Sequence, residues 1–204
     1  MDVQQISRMA AAMAPSVKAL LGQVWMPGDW FRMTDEVVSH YAHKAAVCRM
    51  AYDLLVSHAG PAHAGLGMEI LEIGTRAGYS AAVFRQAVPS SRMLCFDGKI
   101  DDDSDACLAH AERTFGIADV DAKLVLVDMR DVMAVPVAWF AHIDGDHSFS
   151  GAGRDLRLTT GSRFVLLDDV CNPEVERAMH AHLKLSGKKA VVYDDGLRKA
   201  AVIE

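Results

Sequence analysis

Residues 139–145 read WFAHIDG and residues 163–169 read RFVLLDD, so two apolar runs of strand length each end in acidic side chains. Stretches of helical periodicity separate such runs along the chain. Three further runs carry an acid at or near their ends, namely MEILEIG at 68–74, RMLCFDG at 92–98 and AKLVLVD at 122–128. Short apolar strands that alternate with helices of about three turns predict βαβ units, and therefore an α/β fold whose parallel sheet is covered by helices on both faces.

Helices are expected between these strands and ahead of the first one. A long amphipathic helix begins after Thr34, which is a favourable N-cap, and ends before Gly60. The other helices are predicted at about 80–88, 105–115, 151–158 and 173–185. The last two runs, AVVYDD at 190–195 and KAAVIE at 199–204, are separated by GLR alone and so predict an antiparallel hairpin. The expected sheet is mostly parallel and has seven strands, the last two in this hairpin.

The composition predicts one well-packed domain with a small N-terminal addition, because the chain has 204 residues and is 51% hydrophobic. We expect an N-terminal helical or lid segment at 1–34 and a ligand-binding domain at 35–204. The formal net charge of −6 argues against nucleic acid as a partner. Bilayer-length apolar runs and a signal-peptide pattern are both absent, which favours a soluble cytoplasmic protein with no membrane partner. The four cysteines form no CxxC pair, so neither a zinc site nor a disulfide framework is indicated.

Acidic side chains follow the strands of the predicted parallel sheet. In such sheets ligands bind outside the carboxyl ends of the strands, near the point where the strand order reverses. Acids at several strand ends of one sheet should therefore surround a single crevice. The residues in question are Glu72, Asp97, Asp128, Asp144, Asp168 and Asp169.

The first strand runs into a glycine-containing turn, EIGTRAGYS at 72–80, which leads to a helix near Ser80. Gly74 and Gly78 permit positive φ and close approach of a ligand, and the N–H groups of a helix start attract anions. The dinucleotide fingerprint GxGxxG and the P-loop are both absent. Asp97 closes the second strand, where a ribose diol would find a carboxylate. These features favour an adenosine-type ligand that has no polyphosphate.

Four segments carry a resemblance to a known family: LEIGTRAGYSAAVFRQ at 71–86, CFDG at 95–98, HIDGDHSFSGAGRDL at 142–156 and FVLLDDV at 164–170. They resemble the class I S-adenosylmethionine-dependent methyltransferases. More narrowly, they are similar to the small metal-dependent O-methyltransferases, which include the catechol and caffeoyl-CoA enzymes and the bacterial sugar enzymes of the macrocin and novobiocin type. The resemblance extends from Asp35 to the C-terminus. It implies a Rossmann-like fold whose antiparallel seventh strand lies beside the fifth, and possible assembly as a homodimer.

The same resemblance implies a site and a reaction. S-adenosylmethionine would donate a methyl group to a hydroxyl of a small molecule, such as a sugar or a phenolic natural product. The first-strand acid and the turn would hold the methionine end of the cofactor, Asp97 the ribose, and the end of the third strand the adenine. The implied cofactor-binding residues are Glu72, Gly74, Gly78, Ser80, Asp97, Asp128, Met129 and Asp144.

The family also implies a metal ion and a base. Asp144, Asp168 and Asp169 match the ligands of Mg²⁺ or another hard divalent cation, which would lower the pKa of the acceptor hydroxyl. His147 occupies the position of a lysine base in the catechol and caffeoyl-CoA enzymes, and its ordinary pKa of about 6.5 suits proton acceptance near neutrality. Asp146 is the rival base, or it orients His147. Two alternatives stay open, a metal-independent methyltransferase on this fold and a non-catalytic cofactor-binding module.

Several residues outside these motifs have no role assigned by the sequence. Arg154 is expected either to contact an acidic acceptor or to pair with a nearby carboxylate. The aromatic residues Trp25, Trp30 and Phe31 are expected to line the acceptor pocket under a lid, or else to lie in the core or at a dimer contact. Seven histidines are predicted to face solvent, while His142 is left undecided. These seven are His40, His43, His58, His63, His110, His180 and His182.

Overall fold

The structure is a computed structural model, and it describes residues 1–29, 32–59, 69–98 and 103–204. In these residues seven strands form one sheet in the order β3-β2-β1-β4-β5-β7-β6. The strands are β1 Glu69–Ile73, β2 Arg92–Asp97, β3 Ala122–Leu126, β4 Phe140–Ile143, β5 Phe164–Leu167, β6 Ala190–Asp194 and β7 Lys199–Ile203. β1 to β5 are parallel, whereas β7 is antiparallel to both β5 and β6. This confirms the predicted mostly parallel sheet, the C-terminal hairpin and the position of the seventh strand beside the fifth.

Six helices and a 3₁₀ turn at Met129–Asp131 accompany the sheet in the described part of the chain. The helices are α1 Val3–Val24, α2 Asp35–Ala59, α3 Tyr79–Ala87, α4 Asp103–Ile117, α5 Phe149–Leu158 and α6 Pro173–Ser186. Thr34 precedes α2 as predicted, and its Oγ1 accepts a hydrogen bond from the Val37 N–H at 3.3 Å. Gly60, expected beyond the end of α2, lies outside the described residues. α5 begins two residues earlier than predicted because Ser148 caps it, accepting from the Gly151 N–H at 3.1 Å.

The register of the central strands positions the site. β1 pairs with β2 on one side and with β4 on the other, so Glu72 lies opposite Cys95 and His142. The strand order therefore reverses at β1, and a ligand crevice is expected between the carboxyl ends of β1 and β4.

Two hydrophobic cores lie on opposite faces of the sheet. One contains side chains from α1 to α4, and the other contains side chains from α5 and α6. α1 belongs fully to the first core, because Ile6, Val17, Leu21 and Val24 are each 0% exposed. Burial of each such side chain stabilises the fold by about 1.5–3 kcal/mol, so α1 contributes substantially to the packing of the domain.

The prediction for the histidines is wrong at three positions. His40, His110 and His182 are buried, whereas the sequence predicted that they face solvent. His40 is held by the Asp195 carboxylate at 2.7 Å, and His110 by the Val24 carbonyl oxygen at 2.6 Å. Partners from distant segments thus compensate the burial of the polar rings of His40 and His110. Of the remaining four, His58 and His180 are exposed, His43 is half-buried, and His63 lies outside the described residues.

None of the described helices combines the length and the apolar character needed to cross a membrane. The four cysteines have free thiols, three of them buried, while Cys171 is exposed.

Candidate active site

A cavity of about 1340 Å³ opens at the carboxyl ends of the parallel strands. Pockets for one small ligand have volumes of about 300–1,000 Å³, so this cavity has room for a nucleoside-sized ligand and a second small molecule. Six of the eight predicted cofactor-binding residues line it. They are Gly74, Ser80, Asp97, Asp128, Met129 and Asp144.

The glycine turn between β1 and α3 is shaped by packing as well as by access to a ligand. Gly74 has φ +90°, and a Cβ there would overlap the Asp144 carbonyl oxygen. Gly78 has φ +80°, and a Cβ there would lie 2.9 Å from Phe115 Cε1. Gly74 thus brings the turn against the end of β4, while Gly78 lets α4 pack beside it. Gly78 does not line the cavity, so its role in the described structure is to fit helix against turn.

Asp97 at the end of β2 faces the cavity and accepts a hydrogen bond from the Arg76 N–H in the glycine turn. Burial raises the pKa of the Asp97 carboxyl, although the Arg76 N–H opposes this effect. Asp128 after β3 is more exposed, and its carboxylate bonds the side chain of Arg130 at 2.5 Å. The Arg130 hydrogen bonds lower the pKa of Asp128 to about 2. Both acids are therefore held by partners within the turns that surround the cavity.

Glu72 lies beneath the cavity and does not line it. Its side chain is fully buried, and Oε1 is 3.2 Å from His142 Nδ1. Among the described residues, Oε2 has no hydrogen-bond partner. His142, which the sequence left undecided, is therefore a buried residue that bridges the first-strand acid and Asp168, whose Oδ2 is 3.6 Å from its Nε2.

Asp144 and Asp168 share a cation that the sequence did not predict, the ammonium of Lys44 on α2. Lys44 Nζ is 2.5 Å from Asp168 Oδ2 and 3.2 Å from Asp144 Oδ2. It also donates to Ser80 Oγ at 3.2 Å. The sequence contains a signal for this residue, because Lys44 follows Tyr41 by three positions and precedes Cys48 by four on the apolar face of the long helix.

The charges of this cluster stabilise one another. Burial by itself would lower the pKa of Lys44, but the carboxylates of Asp168 and Asp144 raise it above its ordinary value. Burial would likewise raise the pKa of Asp144, yet the Lys44 ammonium holds it well below its usual range. The pKa of Asp168 is also lowered, again because Lys44 outweighs burial. Lys44, Asp144 and Asp168 are therefore all ionised at neutral pH.

His147 lies at the mouth of this cluster and lines the cavity. Its Nε2 is 3.2 Å from Asp169 Oδ2 and 3.4 Å from Asp144 Oδ1. The hydrogen bond with Asp144 raises the pKa of the imidazole above its ordinary value, and the charge of Asp169 adds to this effect. Asp169 itself has φ +56° and binds Arg198 Nη1 at 2.5 Å. Asp tolerates this left-handed backbone better than most residues, so Asp169 can turn the chain directly after β5.

Asp146 is placed differently from His147. Its Oδ1 accepts the Ser148 N–H at 2.9 Å, in the turn that starts α5. This hydrogen bond lowers the pKa of Asp146. Its carboxylate also lies against Gly151, where a Cβ would overlap it. Asp146 therefore supports the loop, and the orientation of His147 comes from Asp144 and Asp169.

The predicted metal ligands do not form one group. Within the described residues, the side chains close enough to share an ion fall into two sets. His142, Asp144 and Asp168 form the first, and Asp144, His147 and Asp169 form the second. The first set already surrounds the Lys44 ammonium, and Asp168 does not line the cavity. The second set faces the cavity, but its Asp169 is bound to Arg198.

The N-terminal segment is attached to the glycine turn. The Trp25 ring stacks on Tyr79 with centroids 4.4 Å apart. The Asp29 carboxylate accepts from Arg76 at 2.6 and 3.1 Å and from the Tyr79 hydroxyl at 2.9 Å. Trp25 packs beside the cavity without lining it, and the predictions for Trp30 and Phe31 fall outside the described residues. Arg154 lines the cavity and has no ion pair within 4.0 Å among the described residues.

No protein-family model matches the sequence, and no curated protein matches it. Solved structures do share the fold. The human methyltransferase 10 domain containing protein aligns with a TM-score of 0.61 at 12% identity, covering 95% of this chain and 96% of that one. An O-methyltransferase from Bacillus cereus in complex with S-adenosylhomocysteine aligns at 0.54 and 13% identity, covering 95% and 91%. TomG, an O-methyltransferase from Streptomyces achromogenes involved in tomaymycin synthesis and solved with S-adenosylmethionine, aligns at 0.53 and 13%, covering 100% and 98%.

These likenesses extend over nearly the whole chain at low sequence identity. Together with the strand order, they show that the chain has the fold of the class I S-adenosylmethionine-dependent methyltransferases. The predicted fold class is confirmed.

Proposed function

We propose that this protein is an S-adenosylmethionine-dependent O-methyltransferase that acts on a hydroxyl group of a small molecule. One observation carries the proposal. A single cavity joins the glycine turn and Asp97, on the nucleoside side, to a histidine between two carboxylates, on the acceptor side. The structural neighbours from Bacillus cereus and Streptomyces achromogenes, which hold S-adenosylhomocysteine and S-adenosylmethionine, support the choice of cofactor.

The residues of this chain then have distinct tasks. Asp97 accepts hydrogen bonds from the ribose hydroxyls, and the turn at Gly74 brings the backbone close to the cofactor. When bound, S-adenosylmethionine supplies an electrophilic methyl group. The Nε2–H of His147 donates to the carboxylates of Asp144 and Asp169, so Nδ1 is the nitrogen that accepts a proton. Nδ1 accepts the proton of the acceptor hydroxyl as the oxygen–methyl bond forms and the sulfur–methyl bond breaks. Asp144 and Asp169 orient the imidazole and stabilise the imidazolium that results.

The acceptor belongs to the hydroxylated small molecules, with sugars and phenolic natural products as the proposed classes. The cavity offers them both apolar and charged surfaces. Val37, Tyr41 and Leu197 are apolar or aromatic members of its lining, and Arg198 and His147 are cationic or titratable ones. Association as a homodimer and a cytoplasmic location remain predictions from the sequence.

Mg²⁺ fits poorly among Asp144, Asp168 and Asp169. A magnesium ion takes oxygen ligands at about 2.0–2.1 Å in near-octahedral geometry. Asp168 is 2% exposed and is ion-paired with Lys44, while Asp169 is bound to Arg198. The observed charges favour the metal-independent form of the reaction, and no step of the proposed chemistry passes through a metal ion.

Cofactor binding tests the first half of the proposal. Calorimetry should show that the protein binds S-adenosylhomocysteine, and that Asp97→Ala and Asp97→Asn weaken binding by about ten- to a hundredfold because the charged acceptor for the ribose hydroxyls is lost. Asp53→Ala, which removes an exposed carboxylate on α2, should leave the affinity unchanged. If the wild-type protein gives no heat of binding when S-adenosylhomocysteine is added, the methyltransferase function is rejected.

Turnover tests the second half. Mass spectrometry should detect a gain of about 14 Da on members of a panel of catechols, flavonoids and sugars incubated with the protein and S-adenosylmethionine, because a methyl group replaces a hydroxyl hydrogen. Binding of the cofactor without methylation of any hydroxylated acceptor would instead support a non-catalytic cofactor-binding module.

A further inference from the structure

Lys44 is an unusual residue for the interior of this fold. It lies on α2, is 1% exposed, and belongs to the largest fully buried side chains of the described residues. Lysine is rarely buried to this extent, because removal of an ammonium from water is costly unless nearby groups compensate it. A buried lysine beside a cavity of this kind therefore requires a partner for its charge.

The surroundings of the ammonium supply that compensation. An ammonium has three N–H donors, and three oxygen atoms lie within 3.2 Å of Lys44 Nζ: Asp168 Oδ2, Asp144 Oδ2 and Ser80 Oγ. The Tyr41 ring lies below it, with its centroid 5.3 Å from Nζ. Two carboxylates and a hydroxyl around one positive centre form the kind of oxygen-rich environment that a hard cation takes in proteins.

The same contacts disfavour binding of a metal ion to Asp144 and Asp168. Asp168 does not line the cavity, and its Oδ2 is 3.6 Å from the Nε2 atoms of both His40 and His142. A divalent ion bound to Asp144 and Asp168 would lie within a few ångströms of the Lys44 ammonium, with like-charge repulsion in a poorly hydrated interior.

We propose that Lys44 takes the place of a divalent cation in this protein, so that cofactor binding and methyl transfer require no metal ion. The inference rests on the proposed function and adds a positioning residue to it. Lys44 holds Asp144 by Oδ2, while Asp144 Oδ1 is 3.4 Å from His147 Nε2. The ammonium thereby fixes the carboxylate that orients the base, without itself contacting the acceptor.

Metal binding provides a test that does not depend on turnover. Wild-type protein, treated with EDTA and then dialysed, should show no binding of Mn²⁺ at millimolar concentration by electron paramagnetic resonance, and Mn²⁺ should not change its melting temperature. In Lys44→Ala the three oxygens lose their cation, so Mn²⁺ should bind at least tenfold more tightly than to wild type and should raise the lowered melting temperature. Lys18→Ala is the matched control, because Lys18 forms an exposed pair with Asp35 and should behave as wild type.

Two results would overturn the proposal. One is a wild-type protein that binds one Mn²⁺ per chain at micromolar concentration and loses it on Asp168→Asn. The other is a folded Lys44→Ala variant that gains no affinity for Mn²⁺. Calorimetry on the same wild-type samples should show that S-adenosylhomocysteine binds with the same affinity in the presence of EDTA as in the presence of metal. If S-adenosylhomocysteine binds in neither condition, the proposed function is refuted instead.

A second pair of variants covers the case in which Lys44→Ala does not fold. Lys44→Met leaves Asp168 buried without its cation, whereas Lys44→Met with Asp168→Asn removes both charges. The double variant should melt at a higher temperature than the single one. If both melt at the same temperature, Lys44 does not compensate Asp168 and the proposal is wrong.

Discussion

Asp97 and Asp128, at the ends of β2 and β3, and Asp144 and Asp169, beyond β4 and β5, line one cavity, yet their charges are compensated in different ways. Asp97 bonds a backbone N–H of the adjacent glycine turn, and Asp128 bonds Arg130 two residues further on. Asp144 instead pairs with Lys44, 100 residues earlier in the chain, and Asp169 with Arg198, 29 residues later. The first group is held by a backbone N–H and by a neighbour two residues away, and the second by cationic side chains that are distant in sequence.

This difference separates two tasks. Carboxylates held by backbone N–H groups or by exposed neighbours remain able to accept hydrogen bonds from a nucleoside. Carboxylates opposed by Lys44 and Arg198 form a charge-balanced wall that positions His147. Loss of one partner from a buried pair costs about 3–5 kcal/mol, whereas an exposed pair contributes about 0–1 kcal/mol. The wall should therefore be much less tolerant of substitution than the nucleoside side.

Gly74→Ala should have the largest effect. Gly74 brings the glycine turn, which holds Asp97, against the end of β4, which is followed by Asp144. A Cβ at this position would overlap the backbone carbonyl of Asp144, and the φ of +90° is strained for any other residue. We expect a loss of about 4 kcal/mol or more in the free energy of unfolding, or failure to fold. Chemical denaturation measures this loss.

Gly116→Ala is the control for Gly74→Ala. Gly116 lies in α4 with open space around it, so alanine should raise the free energy of unfolding by about 0.5–1 kcal/mol. A Gly74→Ala protein as stable as wild type would show that the turn and the end of β4 are not in contact.

His147→Gln should lower kcat by about 100- to 10,000-fold, the usual contribution of a general base. The carboxylates of Asp144 and Asp169 raise the pKa of His147, and only the neutral imidazole accepts a proton. The rate of the wild-type enzyme should therefore fall with decreasing pH through a pKa above the ordinary value of about 6.5, and this step should vanish in the variant. Measurement of kcat against pH checks both points.

Asp146→Asn separates the two candidate bases. Because asparagine keeps the Oδ1 acceptor for the Ser148 N–H, the substitution should lower stability by less than about 1 kcal/mol and leave the pH step in kcat in place. If the pH step disappears in Asp146→Asn and persists in His147→Gln, Asp146 is the base.

Much of the fold was predictable because its signals are local. Apolar runs of strand length, the helical period and the short GLR connection specify seven strands and most helices, and their order implies the parallel sheet. The place of α1 in the core was the exception, because the sequence predicted only a helical or lid segment at 1–34. The apolar positions of α1, such as Ile6 and Leu21, are separated by small and polar residues, and its role is evident only when α2 covers it.

The site was predictable to the extent that strand ends determine position. Asp97, Asp144 and Asp169 reach one cavity because parallel strands end at the same edge of the sheet. The partners of the acids were not predictable in this way, since Lys44 comes from a helix far away in sequence. The resemblance to metal-dependent enzymes implied magnesium at Asp144, Asp168 and Asp169, and three carboxylates in one crevice agree with a metal ion as long as Lys44 is not considered.

Asp155 also lines the cavity, but it is an acid without a closely bound cation. It is 1% exposed, and its Oδ1 has no hydrogen-bond partner among the described residues. Burial raises its pKa from 3.8 to about 6. The folded protein therefore binds this proton more tightly than the unfolded chain, and the free energy of unfolding should decrease as pH rises from about 4 to about 6, by up to about 3 kcal/mol.

Asp155→Asn should remove this decrease. The variant should be more stable than wild type near pH 7, and the difference should shrink towards about pH 4, as urea denaturation at the two pH values would show. Asp53→Asn, an exposed control on α2, should give no such pH-dependent difference. A variant less stable than wild type at neutral pH would mean that the Asp155 carboxylate has a partner in solution.

Asp29→Ala should have a small effect on cofactor affinity, and it tests whether the N-terminal segment supports the nucleoside side. The Asp29 carboxylate is bound by Arg76 and by the Tyr79 hydroxyl, so its loss should cost about 1–3 kcal/mol of stability. Because Arg76 also supplies the N–H that holds Asp97, calorimetry should show binding of S-adenosylhomocysteine weakened by about three- to tenfold. Tyr79→Phe removes one of these hydrogen bonds and leaves Arg76 in place, so it should lower stability by about 1 kcal/mol without changing the affinity. Equal affinities in all three proteins would limit the segment to a packing role, and the local turn alone would then suffice to position Asp97.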